Sequence, residues 1–112
     1  MLQKILAQLN CTDIDRSTVW FTTLFGRSPD QAPMDGLKEW HHADFAGFQL
    51  FLNPSDAGRG CLTLIVDDID AELRRLSDAG IETGKVGTGD IATISQLRDP
   101  DGNTVVLAEP RE

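Results

Sequence analysis

A shift of 55 residues lays this chain onto itself. The stretch "LAQLNCTDID" (6–15) falls on "CLTLIVDDID" (61–70), so that Leu9 meets Leu64, Asp13 meets Asp68, Ile14 meets Ile69 and Asp15 meets Asp70. The same shift sets "DFAGFQLFL" (44–52) on "DPDGNTVVL" (99–107), matching Asp44 with Asp99, Gly47 with Gly102 and Leu52 with Leu107. Two matches at one offset, in one order, mark a duplicated unit. The expected organisation is one domain over 1–112, with pseudo-repeats of about 1–55 and 56–112. Its 112 residues suffice for one core and are too few for two ordinary domains.

Each unit reads in the same order. Ala7, Leu9 and Cys11 alternate with Leu6, Gln8, Asn10 and Thr12, the two-residue period of a strand. Asp13 is a suitable N-cap for a helix carrying Trp20, Phe21, Leu24 and Phe25 at three-to-four spacing, and Gly26 ends it. The second half repeats this: Leu62, Leu64 and Val66 form an apolar strand face and Asp67 or Asp68 caps a helix. Ile69, Leu73 and Leu76 line that helix's buried side and Gly80 closes it. The basic "ELRRL" (72–76) reads as that helix's wet side. Hairpins are expected at 37–42 with 48–53 and at 92–98 with 103–108. The unit is a strand, a helix and then two or three strands. Used twice, it makes an α+β domain of two tandem βαβββ units. "GKVGTGD" (84–90) lacks the Gly-Lys-Ser/Thr ending of a phosphate loop and reads as a turn.

Strand parity sorts the side chains onto two faces. Ala7, Leu9, Leu50, Leu52, Leu62, Leu64, Val66, Val105 and Leu107 are all apolar and should pack under the helices. Each stabilises the fold by about 1.5–3 kcal/mol when fully buried. The opposite face mixes amides, hydroxyls and apolar groups: Leu6, Gln8, Asn10, Gln49, Phe51, Cys61, Thr63, Ile65, Thr104 and Val106. That mixture fits a ligand cavity better than a plain solvent face, which would carry more charge. A second turn symmetric about Asp101 sets Gln96 opposite Val106. The repeat then sets His41 opposite Phe51, with Trp40 and His42 on the helix side; a one-residue slip exchanges His41 for His42.

A net charge of −8 disfavours nucleic acid and anionic membrane surfaces as partners and suits a cationic ligand. No run approaches the length of a membrane span, and the N-terminus lacks the features of a signal peptide. Two cysteines, Cys11 and Cys61, make no disulfide framework, so a reducing cytoplasm is expected.

Three stretches together resemble the vicinal oxygen chelate superfamily of glyoxalases, bleomycin-resistance proteins and ring-cleaving dioxygenases. They are "TDIDRSTVWFTTLFGRSP" (12–29), "LTLIVDDIDAELRRLSDAGI" (62–81) and "RDPDGNTVVLAEP" (98–110). The resemblance implies a homodimer. It also implies four symmetric strand positions from which metal-using members draw His, Gln or Glu; here these are Leu6, Phe51, Cys61 and Val106. A divalent ion wants carboxylate or imidazole, with thiolate as an option for zinc. No metal and no other cofactor is therefore expected. His41 and His42 are adjacent and point to opposite faces of a regular strand, so they cannot chelate together. Cys61 reads as a small buried filler rather than a nucleophile. Asp13, Asp15, Asp68 and Asp70 read as helix-start residues, Asp99 and Asp101 as turn residues.

The leading expectation is a metal-free protein that holds a small organic molecule, aromatic or cationic, as drug-sequestering relatives do. Gln8, Asn10, Gln49, Thr63, Gln96 and Thr104 would supply hydrogen bonds. Phe51, Ile65 and Val106 would supply apolar contact, Cys61 would face the cavity and His41 would sit at its edge. The alternatives are a metal-dependent lyase, transferase or dioxygenase, a metal-free enzyme using His41 as general base, and a structural or partner-binding module.

Overall fold

The computed structural model describes residues 1–111. The first half runs β1 (Ile5–Cys11), α1 (Ile14–Phe25), β2 (Gln31–Met34), β3 (Leu37–Ala43) and β4 (Ala46–Leu52). The second runs β5 (Cys61–Ile65), α2 (Ile69–Asp78), β6 (Val86–Thr88), β7 (Ala92–Arg98) and β8 (Thr104–Pro110). The strands form two four-stranded sheets, ordered β1-β4-β3-β2 and β5-β8-β7-β6. In each, the first strand lies parallel to the last and the other pairs are antiparallel. The architecture is α+β, with the same element order used twice.

Local chemistry sets the helix ends. Asp13 and Asp68 each accept a hydrogen bond from a backbone N–H three residues on, at 3.1 and 3.0 Å. Gly26 closes α1 at φ 74°, a left-handed conformation that an L side chain would resist. α2 ends at Ala79, with Gly80 at φ 89°. The buried faces of both helices meet the apolar faces of both sheets, and Leu9, Phe21, Trp40 and Leu50 of the first half share one continuous core with Leu62, Leu76, Leu97 and Val105 of the second. Leu52 departs from the expectation: at the end of β4 it is 38% exposed.

The second hairpin has the expected register, with Gln96 opposite Val106. The first does not. His41 pairs with Gly47, Glu39 with Gln49 and Leu37 with Phe51, so His41 sits four positions along β4 from the partner expected. Its turn is shorter than that of its repeat, and an irregularity between His41 and Ala43 takes up the difference. A slip by an even number preserves side-chain parity, so His41 keeps its face.

Two seams hold the halves together. In the turn before β8, Asn103 is fully buried. Its Nδ2 donates to Asn10 O at 2.9 Å and to Asp99 Oδ2 at 2.8 Å, and its Oδ1 accepts from Gly60 N at 2.9 Å. Asp99 is a turn residue as expected, accepting from the backbone N–H groups of Asp101 and Asn103 at 3.0 and 2.8 Å. Burial raises its pKa, and those hydrogen bonds oppose the shift. Asp101 does more than turn the chain. It accepts from Thr12 N at 3.1 Å, Thr12 Oγ1 at 2.5 Å, Arg16 at 3.3 Å and Ser17 at 3.4 Å. The second seam corrects the reading of "ELRRL". Arg75 does not simply face water: Nη1 and Nη2 each donate at 2.7 Å, to Thr23 O and Leu24 O. A cation there satisfies carbonyls that the end of α1 leaves open.

The stretch 84–90, read from the sequence as a turn, instead contains β6, paired antiparallel with β7, and Gly84 sits where a Cβ would come within 2.3 Å of Gln96 O.

Candidate functional site

The sheet faces turned away from the helices carry every residue expected of a ligand site. On the first sheet, β1 sets Gln8 opposite Gln49 and Asn10 opposite Phe51 of β4. On the second, Cys61 lies opposite Thr104, and both Thr63 and Gln96 flank Val106. Gln8, Cys61, Thr63 and Gln96 are exposed; Leu6, Asn10, His41, Gln49, Phe51, Thr104 and Val106 are half-buried. This outer surface is open in a single chain. His41 shares it, whereas His42 lies on the helix side with its ring 6.0 Å from that of Phe25.

Hydrogen bonds tie part of this face into a chain. Gln8 Nε2 donates to Gln49 Oε1 at 3.2 Å, and Gln49 Nε2 donates to Glu39 Oε2 at 2.6 Å. Glu39 Oε1 lies 3.1 Å from His41 Nε2, and Lys4 Nζ donates to His41 Nδ1 at 2.5 Å. A lysine ammonium has only donors, so Nδ1 accepts and the ring proton sits on Nε2, directed at Glu39. The result is an imidazole oriented between a cation and a carboxylate. The backbone of His41 is clamped as well: Asp30 accepts from its N–H at 2.6 Å, and Arg27 bonds both Asp30 and the His41 carbonyl. The His41 N–H bond, then the Arg27 guanidinium, lower the pKa of Asp30.

Glu39, only 7% exposed, is the residue sequence reasoning missed. The signal was present: two residues before His41 on one strand, it must share that histidine's face. Asn10 contributes another unusual atom. Its Oδ1 is buried and has no hydrogen-bond partner among the described residues, a state that costs about 1–3 kcal/mol.

The four positions matched to the superfamily's metal ligands offer three hydrocarbons and one thiol, a donor set that does not fit a divalent ion. Among the described residues no three His, Cys, Asp or Glu side chains gather closely enough to hold one. The two thiols differ sharply. Cys61, read from the sequence as a buried filler, is instead exposed at the start of edge strand β5, while Cys11 is buried and its pKa is pushed up to about 11 by that burial and by the negative charge of Asp101. A thiol-reactive dye at mildly alkaline pH is expected to modify Cys61 alone in the native protein and both cysteines after denaturation. Rapid modification of Cys11 in the folded chain would show that its burial is wrong.

This fold, with two βαβββ units, is that of the vicinal oxygen chelate superfamily. Within it, the chain belongs to the glyoxalase-like domain family, whose model matches residues 7–108. Among solved structures, a glyoxalase/bleomycin resistance protein from Catenulispora acidiphila DSM 44928 is similar at 27% identity. It has a TM-score of 0.88, with 96% of this chain and 97% of that one covered. Lactoylglutathione lyase from Agrobacterium tumefaciens shares the fold at 19% identity and a TM-score of 0.77, covering 94% and 91%. A bleomycin-binding protein complexed with bleomycin shares it at 19% identity and a TM-score of 0.74, covering 96% and 98%. No curated protein matches the chain. Among the described residues no helix is long and apolar enough to cross a membrane.

Proposed function

We propose that the outer sheet face binds a small organic molecule without a metal, in the manner of a sequestering protein. The observation that carries this reading is the ordered chain from Gln8 through Gln49, Glu39 and His41 to Lys4 beside apolar Phe51 and Val106. Ligand sites combine an apolar lining with a few polar groups held in place by their neighbours, and this face has both. Glu39 favours a cationic group on the ligand, as does the net charge of −8. Gln96, Thr63 and Thr104 supply further hydrogen bonds from the second sheet, and Asn10 Oδ1 is an acceptor still to be satisfied. A second copy of the chain closes the face. The edge strands β1 and β5 leave Ile5 and Ile65 65% and 67% exposed, which a homodimer would cover. The similarity to a bleomycin-binding protein supports the same class of ligand, and a cytoplasmic location agrees with the two free thiols.

The test joins native mass spectrometry of freshly purified protein with titration of bleomycin and small aromatic cations. A saturable ligand and a metal content near zero are expected. Glu39→Gln should weaken a cationic ligand about tenfold or more, the worth of a charge-assisted hydrogen bond. A divalent metal near one per chain, or affinities indifferent to both Glu39→Gln and Phe51→Ala, would sink the proposal. One observation favours a second reading, a metal-free enzyme: His41, held in one orientation by Lys4 and Glu39, is placed to act as a general base. Turnover of a bound compound that disappears in His41→Ala would establish it.

A further inference from the structure

A partly enclosed cavity lies on the helix side of the sheets, opposite the face that carries His41 and Phe51. It holds about 410 Å³, and its residues come from both halves and both helices. It opens because β1 and β5 are edge strands of separate sheets. They approach where a Cβ on Gly60 would meet Leu9 Cδ2 at 2.4 Å, and no ladder joins them further along. Ala7 of β1 and Thr63, Leu64 and Ile65 of β5 line the wedge that results.

We propose that this wedge is a second binding site, for an uncharged aromatic molecule carrying one polar group. Three observations carry it. Protein interiors seldom leave voids much larger than a water molecule, and this space falls in the roughly 300–1,000 Å³ range of ligand pockets. One wall is aromatic: Phe25, Trp40 and Phe48 stand with ring centroids 5.4–5.9 Å apart at tilted angles, facing the aliphatic Leu62, Leu64 and Leu107. The mouth carries no unmatched charge. Glu72 accepts from Arg75 Nε at 2.9 Å, and the same guanidinium is held by Thr23 O and Leu24 O. A charged ligand would have to displace that pair; a neutral one would not. His42, exposed at the rim against Phe25, is the polar group positioned to hydrogen-bond a hydroxyl.

The wedge shares Thr63 and Ile65 of edge strand β5 with the outer face but none of Glu39, His41, Gln49 or Phe51, so variants and shifts at those four residues separate the two readings. The probe is 2-naphthol, with 2-methylnaphthalene as the analogue lacking the hydroxyl. Trp40 forms part of the wall and is nearly fully buried, so saturable quenching of tryptophan fluorescence is expected. Backbone amide shifts should concentrate on residues 24–25, 62–66 and 72–76. Leu64→Trp fills the wedge and should abolish binding. His42→Ala, an exposed change that leaves the core intact, should weaken 2-naphthol about fivefold, the net worth of one hydrogen bond, and leave 2-methylnaphthalene unaltered. Phe51→Ala, on the outer face, should change neither. Linear, unsaturable quenching would overturn the assignment. So would amide shifts centred on Gln49 and Phe51, or undiminished binding by a folded Leu64→Trp protein.

Discussion

Replacing Asn103 by alanine is expected to destabilise the protein by about 3–5 kcal/mol, seen as a large fall in the urea midpoint with little change in slope. The side chain makes three hydrogen bonds, and two of them reach out of its own turn: to Asn10 O on β1 and from Gly60 N before β5. Alanine leaves that carbonyl and that N–H without their partners in a fully buried place, and each orphaned group costs about 1–3 kcal/mol. The third bond, to Asp99, is lost as well, and a carboxylate already penalised by burial loses a donor. Asn103→Asp tests the same point from the other side. It keeps an acceptor for Gly60 N, but it removes the donor to Asn10 and sets a second carboxylate against Asp99. Both variants should be severe. An Asn103→Ala protein within about 1 kcal/mol of the parent would show that this seam is not what holds the halves in register.

Phe21→Ala should cost about 3–5 kcal/mol, the usual range for removing a fully buried phenylalanine. Phe21 has no exposed surface and is the hub of the aromatic cluster. Its ring centroid lies 4.8 Å from that of Phe48, 4.9 Å from Trp20, 6.0 Å from Phe25 and 6.3 Å from Trp40. Those rings come from α1, β3 and β4, so the cavity left behind cannot collapse without moving a helix against a sheet. Val19→Ala, on the exposed side of the same helix, is the control and should lie within about 0.5 kcal/mol of the parent. Equal effects of the two substitutions would mean that α1 is rotated from the orientation described.

The repeat, the helix limits and the apolar face of each strand were legible because they depend on residues close in sequence. Asp13 and Asp68 cap neighbouring N–H groups, and Leu73 and Leu76 fall on one side of α2 whatever that helix packs against. The side of the sheet on which His41 lies followed from parity alone. Its partner did not, since turn length sets hairpin register and the two turns differ by more than the repeat suggests. Glu39 was overlooked although parity placed it beside His41. A charged residue on a strand is ordinarily a solvent-facing one, and only the packing of Gln49 and His41 around it shows otherwise.

By itself, then, the sequence determined a twice-used βαβββ unit, a resemblance to the vicinal oxygen chelate superfamily, and three hydrocarbons and a thiol at the positions that resemblance matches to metal ligands. These follow from short-range periodicity, capping chemistry and residue type. Tertiary structure alone decided what Asn103, Asp101 and Arg75 are for. Their partners lie 93, 89 and 52 residues away, and nothing local distinguishes them from an ordinary turn or a wet helix face. It also decided where enclosed space lies. A cavity between two sheets depends on the angle at which their edges part, and that angle is the sum of many contacts rather than the property of any one stretch of chain.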